Sequence, residues 1–274
     1  MENYSPFLSV AIKAAALAGR EIRDIYNKQE PIAVELKEDR SPLTEADKRS
    51  HNAIVHILKD TTLPVLSEEG KTIDYNERKN WELFWMIDPL DGTKEFIKRN
   101  GEFTVNIALI HHNEPVLGVI YAPMMDILYF GCAGIGSFKL EADDDYLMHL
   151  ILTNHINDRI IQAAQRMPLK NELKQFTIVA SRSHMTSETE AFIDTLRQLH
   201  GDIAMISKGS SLKLCLVAEG SAQVYPRFAP TMEWDTAAGQ AIAKHAGFSV
   251  IDAIGQQPVV YNKEELLNPW FIVQ

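Results

Sequence analysis

The sequence predicts a mixed α/β fold, and three observations carry that prediction. Apolar residues recur at helical spacing near the N-terminus, two apolar runs flank a polar turn in the middle, and strand and helix patterns alternate from Phe176 to Ile251. In chain order, Ser9 to Ile25 places Val10, Ala14, Leu17, Ala18, Ile22 and Ile25 on one face, which predicts an amphipathic helix. Ala33 to Leu36 reads as a short strand, and a loop around Asp39 to Pro42 leads into a helix from Thr44 to about Leu58. Leu63 to Leu66 and Leu83 to Ile87 read as short buried strands that run into acidic residues. Phe103 to Ile110 and Pro115 to Tyr121 predict a β-hairpin turning near His112-Asn113-Glu114, and Ile127 to Gly131 extends that sheet.

From Leu140 to Lys174 the pattern weakens, and a helix through Arg166 is the reading. The strands expected beyond it are Phe176 to Ala180, Ile203 to Ile206, Ala222 to Tyr225 and Phe248 to Ile251. Helices are expected over Ser187 to Leu199, Ser210 to Ala218 and Thr236 to Ala246. This divides the chain into an N-terminal α+β half (1–140), an insertion or junction (141–174) and a C-terminal α/β half (175–274).

With 274 residues, 46% of them hydrophobic and 23% charged, the chain can bury a full core. No stretch is long and apolar enough to span a bilayer, because Ala108 to Tyr121 is broken by His111, His112, Asn113 and Glu114. The N-terminus reads as lacking a signal peptide. Cys132 and Cys215 sit in apolar runs and read as buried reduced thiols, so a cytoplasmic location is expected. Peripheral contact with the cytoplasmic face of the inner membrane, through the first helix, is the alternative. A formal net charge of −10 disfavours a nucleic-acid polymer as partner. It also means that a small anionic substrate needs local positive charge, which bound cations can supply.

The densest chemistry lies in Trp85-Met86-Ile87-Asp88-Pro89-Leu90-Asp91-Gly92-Thr93. An apolar strand ends in Asp88, proline prevents further regular pairing, and Asp91 follows after one tight turn. The two carboxylates can then point the same way, with the Leu90 carbonyl as a third oxygen between them. Gly92 permits an unusual backbone angle and Thr93 opens a short helix. A second acidic pair, Glu68-Glu69, ends the run Val65-Leu66-Ser67, and Asp235 begins the small-residue helix Asp235-Thr-Ala-Ala-Gly239. Oxygen donors without histidine or thiolate suit Mg²⁺ rather than zinc. Singly, each motif has a purely structural reading. Glu68-Glu69 suits a solvated turn, Asp235 an N-cap, and Thr44-Glu45-Ala46-Asp47 a capping box. No His-Glu-x-x-His pattern, P-loop or serine nucleophile elbow is present.

In order along the chain, Ser67-Glu68-Glu69, Asp88-Pro-Leu-Asp91-Gly-Thr93 and Trp234-Asp235-Thr-Ala-Ala-Gly239 resemble the inositol monophosphatase superfamily. The string from Asp88 to Leu109 is similar to one branch, the bacterial 3′(2′),5′-bisphosphate nucleotidases of the CysQ type. So are Ser181-Arg-Ser-His184, Gly209-Ser-Ser-Leu-Lys213, Leu216-Val-Ala-Glu-Gly220, Tyr225-Pro-Arg-Phe228 and Leu267-Asn-Pro269. The resemblance covers nearly the whole chain. Leu140 to Lys174 departs from it, being longer than the branch carries there, and takes no role.

The resemblance implies a layered α/β/α/β/α sandwich and a lithium-sensitive phosphatase that uses two or more Mg²⁺. Glu68, Asp88 and the Leu90 carbonyl would hold one ion; Asp88, Asp91 and Asp235 would hold another, with Asp88 bridging. Thr93, oriented by Asp47, would help Glu68 position and deprotonate a water. Glu68, Leu90, Asp91, Gly92, Thr93 and Asp235 would line the substrate phosphate. The implied substrate is a small nucleotide, adenosine 3′,5′-bisphosphate, cleaved to AMP and phosphate. Lys213 and Arg227 are candidates for its second phosphate, and also read as ordinary surface cations. Inositol phosphates, fructose 1,6-bisphosphate and a non-catalytic sensor role are the rival readings.

Overall fold

The computed structural model describes residues 3–28, 32–37, 41–152, 156–170, 173–180 and 185–274. Its centre is a seven-stranded sheet in chain order: β3 (Val65–Ser67), β4 (Leu83–Asp91), β5 (Thr104–His111), β6 (Glu114–Ala122), β7 (Ile127–Cys132), β8 (Gly136–Glu141) and β9 (Gln165–Arg166). β3 and β4 run parallel and every other neighbouring pair is antiparallel. The hairpin turn between β5 and β6 falls at His112 and Asn113, both at positive φ. Ahead of this sheet, β1 (Val34–Leu36) and β2 (Pro42–Thr44) form a separate antiparallel pair. The expected loop to Pro42 is therefore shorter, since Pro42 opens β2; Asp39 lies outside the described residues.

Helices α1 (Ser5–Tyr26) and α2 (Glu45–Leu58) cover one face of the sheet. The apolar face of α1 is an Ala-rich stripe that is fully buried, so the amphipathic pattern of the sequence is spent on the core. A short α3 (Tyr75–Arg78) precedes β4, and α4 (Thr93–Ile97) follows it. Two helices, α5 (Asp144–Leu152) and α6 (Ile156–Ala163), and the edge strand β9 occupy the stretch for which one helix was expected. β8 was also not anticipated. It is two-sided, with Ser137 buried because its hydroxyl donates to the Ile242 carbonyl at 2.6 Å, which blurs the strand periodicity.

The C-terminal elements build the remaining layers. They are β10 (Phe176–Ala180), α7 (Ser187–His200), β11 (Ile203–Ser207), α8 (Leu212–Ala218), β12 (Tyr225–Arg227), α9 (Glu233–Ala246), β13 (Val250–Asp252) and β14 (Phe271–Val273). α8 and α9 pack on the second face of the central sheet. β10 and β11 pair in parallel, while β12, β14 and β13 form a three-stranded antiparallel sheet. Ile193 of α7 closes the outer side with Ile178, Val224, Phe228 and Ile272. Helix, sheet, helix, sheet and helix thus succeed one another, as expected. Strand β14 was missed because three residues carry no readable period, and β12 begins three residues later than expected.

The close approach of α9 to β6 depends on Gly118, where a Cβ would stand 2.2 Å from the Ala238 carbonyl oxygen. Gly118→Ala is therefore expected to cost about 2–3 kcal/mol, read as a lowered urea midpoint with unchanged slope.

Candidate active site

The register of β4 explains why two carboxylates three residues apart face one way. Asp88 pairs with Asn106 and Asp91 with Thr104, so three steps on β4 oppose two on β5. This bulge absorbs the extra residue and undoes the alternation that would send Asp88 and Asp91 to opposite faces. The strand thus runs on through Pro89 to Asp91, further than the sequence suggested. Gly92 then takes φ 93° and Thr93 opens α4. Asp88 is 1% exposed, and its Oδ1 accepts the Leu90 amide at 3.0 Å.

Two further chain segments meet Asp88. Glu68 follows β3, the parallel neighbour of β4, and Asp235 lies in the first turn of α9. Oxygens of Glu68, Asp88 and Asp235 all lie within 4.8 Å of one another. Asp235 is the third residue of α9 rather than its N-cap, and its Oδ2 accepts the Met232 amide at 2.8 Å. Asp91 stands beside this trio, its Oδ2 accepting the Ser211 amide at 2.6 Å and the Asn106 amide group at 3.3 Å.

Burial and mutual repulsion leave these acids in tension. Burial, then Glu68, Asp91 and Asp235, push the Asp88 carboxyl well above the usual carboxylate range. Burial, Asp91 and Glu68 do the same to Asp235. Asp91 is raised to about 6 by burial, against the opposing pull of Lys213, Asn106 and Ser211. Lys37, which follows β1, donates to Glu68 at 2.8 Å and also pairs with Glu69. Burial pulls its ammonium down, but the two glutamates overcome that and hold it above the usual lysine range.

A second device joins Asp47 to Thr93. Asp47 is the third residue of α2, and its Oδ2 accepts the Thr44 amide at 2.7 Å and the Thr44 hydroxyl. Its Oδ1 accepts the Thr93 hydroxyl at 3.1 Å, and that hydroxyl also lies 3.3 Å from the Leu90 carbonyl. The capping box and the Thr93 hydrogen bond coexist because each Asp47 oxygen serves one of them. Burial raises Asp47, and the hydrogen bonds from Thr44 and Thr93 pull it back.

A cleft of about 140 Å³ opens at Asp91, Gly92 and Asp235 and reaches Lys213, Tyr225 and Arg227. Every candidate named from the sequence (Asp47, Glu68, Asp88, Leu90, Asp91, Gly92, Thr93 and Asp235) thus falls in one region. The segment Ser181–His184 lies outside the described residues. Sequence reading missed Lys37, Asn106 and Ser211 as partners of the carboxylates. Asn106 and Ser211 do lie inside the strings that carried the resemblance, whereas no local signal ties Lys37 to Glu68.

The profile of the inositol monophosphatase family matches residues 3–270. The chain belongs to this family. Within the family, the 3′(2′),5′-bisphosphate nucleotidase CysQ of Escherichia coli strain K12 is 44% identical over 269 residues, covering 97% of this chain and 98% of that protein. The corresponding CysQ of Haemophilus influenzae is 34% identical, covering 97% and 91%. The crystal structure of CysQ from Bacteroides thetaiotaomicron superposes with a TM-score of 0.88 at 51% identity, covering 99% of this chain and 97% of that one. The fold anticipated from the family's motifs is the fold observed. No described helix is long and apolar enough to cross a membrane.

The raised carboxyls give stability a pH dependence of definite sign. A carboxyl whose folded pKa exceeds its unfolded value favours folding below the unfolded value, near 4, and loses that benefit as pH rises through the folded one. For Asp91 the loss falls between about pH 4 and 6, and it continues higher for Asp88 and Asp235. Divalent cations compete with those protons. We therefore expect the rise in Tm on adding Mg²⁺ to chelated protein to be larger at pH 8 than at pH 5, measured by scanning calorimetry. Equal rises at both pH values would contradict the electrostatic picture.

Proposed function

We propose that this chain is a Mg²⁺-dependent 3′(2′),5′-bisphosphate nucleotidase of the cytoplasm, removing the 3′-phosphate of adenosine 3′,5′-bisphosphate to leave AMP and phosphate. The convergence of Glu68, Asp88 and Asp235, with Asp91 beside them, is the observation that carries the reading. Its donors fit the ion: all are oxygens, and buried acids that repel one another are stable as anions only beside a cation. Four carboxylates carry a formal charge of −4, which two Mg²⁺ offset. Glu68, Asp88 and the Leu90 carbonyl would hold one ion, and Asp88, Asp91 and Asp235 the other. When bound, the ions supply positive charge to the phosphate oxygens and acidify the attacking water.

The chain's own groups do the rest. A phosphomonoester is hard to hydrolyse, and enzymes lower such barriers by on the order of 20 kcal/mol. Positioning and charge stabilisation account for most of that in phosphoryl transfer. Thr93 donates its hydroxyl proton to Asp47, which leaves the Thr93 oxygen free to accept a hydrogen bond from water. Glu68 accepts the second hydrogen of that water. Leu90 to Thr93 and Asp235 line the phosphate, with Gly92 at positive φ bringing the backbone close.

The test is phosphate release from adenosine 3′,5′-bisphosphate, inositol 1-phosphate and fructose 1,6-bisphosphate, each with Mg²⁺ and with chelator. Fastest turnover of the nucleotide, lost on chelation, is the expected result. Preference for either other ester would move the activity elsewhere in the family, and no release from any would leave a sensor.

A further inference from the structure

Asn106 is a polar residue in the interior of a buried strand. It lies in β5 between Val105 and Ile107, and is 1% exposed. Asparagine is depleted in strands, and a buried amide group is costly unless its hydrogen bonds are made. In the ladder Asn106 faces Asp88, yet its side chain reaches the next acid along, its Nδ2 donating to Asp91 Oδ2 at 3.3 Å. Its Oδ1 faces the Ser211 hydroxyl at 2.7 Å and the Thr104 hydroxyl at 3.0 Å, and those two hydroxyls lie 2.8 Å apart. Thr104 and Ser211 are buried as fully as Asn106 itself.

This arrangement fixes two orientations at once. Turning the amide over would set its carbonyl oxygen against the Asp91 carboxylate, which as an anion only accepts. The hydroxyls on the other side can donate to the carbonyl oxygen, so they hold the amide as it stands. Asp91 is oriented in turn. The Ser211 backbone amide at 2.6 Å and the Asn106 amide group fill the two lone-pair directions of Oδ2. Binding a cation then falls to Oδ1.

We propose that Asn106 is the positioning residue for the ion of Asp88, Asp91 and Asp235. It turns Asp91 Oδ1 toward that ion, and the Thr104 and Ser211 hydroxyls act through it. The inference rests on the two-ion reading of the site. Hydrogen bonds that orient a metal ligand commonly change metal affinity by about 10- to 100-fold.

Mn²⁺ titration of chelator-treated protein, read from the electron paramagnetic resonance signal of free Mn²⁺, tests the role without turnover. Wild type should bind two ions. In Asn106→Ala the dissociation constant of one should rise about 30-fold, while the other moves less than about threefold. Anomalous scattering from Mn²⁺-soaked crystals of the variant should show the peak beside Asp91 weakened and the peak beside Glu68 kept. Ser211→Ala keeps the backbone amide on Asp91 and should weaken the same ion about threefold, with no further effect in the Asn106→Ala background. Equal weakening of both ions, full additivity in the double variant, or unchanged affinities would overturn the positioning role and leave the two-ion reading standing. Should Asn106→Ala not fold, Ser211→Ala and Thr104→Val decide by the same single-ion criterion. A wild type that binds fewer than two ions overturns the two-ion reading, and the positioning role with it.

Discussion

Asp88→Asn should lower kcat/KM by about 10³-fold or more at saturating Mg²⁺, with no loss of fold. Asp88 is the residue shared by both proposed ions, so its replacement strips one ligand from each at once. The structure also says why the protein should still fold. Asparagine keeps the Oδ1 that accepts the Leu90 amide, and the flanking strand is anchored by fully buried Trp85 and Ile87. The substitution removes a buried charge that Glu68, Asp91 and Asp235 all repel. Chelated Asp88→Asn should therefore melt no lower than chelated wild type, while gaining less from added Mg²⁺. Turnover within tenfold of wild type would remove Asp88 from the chemistry.

The second large effect is expected at Thr93, and it separates water positioning from ion binding. Thr93→Ala should lower kcat by about 10²-fold or more, the range for a lost general-acid–base partner, with the Mg²⁺ dependence nearly unchanged. The Thr93 hydroxyl donates its one proton to Asp47, which is not among the proposed ion ligands. Thr93→Ser keeps the hydroxyl and should retain most of the activity. Asp47→Asn should fall between them, because Asp47 also caps α2 through Thr44 and its loss carries a stability cost of about 1 kcal/mol. A rise in the Mg²⁺ concentration needed for half-activity in Thr93→Ala, at unchanged kcat, would instead assign the hydroxyl to ion binding.

The legible parts of the sequence were those whose signal is local. The helical stripe of Ser5–Tyr26, the hairpin around His112 and Asn113, and the strand that ends in acids all follow from period or turn chemistry over a few residues. The site was legible in a different way. Glu68, Asp88 and Asp235 each have an ordinary structural reading alone, and only their ordered combination with the surrounding strings named the chemistry. What escaped was whatever depends on pairing across the chain. The three residues of β14 earn their strand geometry from β12 and β13 on either side, and β9 from β8. The bulge that aligns Asp88 with Asp91 is a property of two strands together. Lys37 reaches Glu68 from 31 positions away, with nothing in its neighbours to announce it.

The proposal that buried oxygens from three separated segments cage divalent ions is tested most directly by a crystal structure of the protein soaked with Mn²⁺, read by anomalous scattering. Two peaks are expected, sharing the Asp88 carboxylate, with Glu68 and the Leu90 carbonyl on one and Asp91 and Asp235 on the other. A crystal with peaks elsewhere and none between Glu68, Asp88 and Asp235 would contradict the assignment.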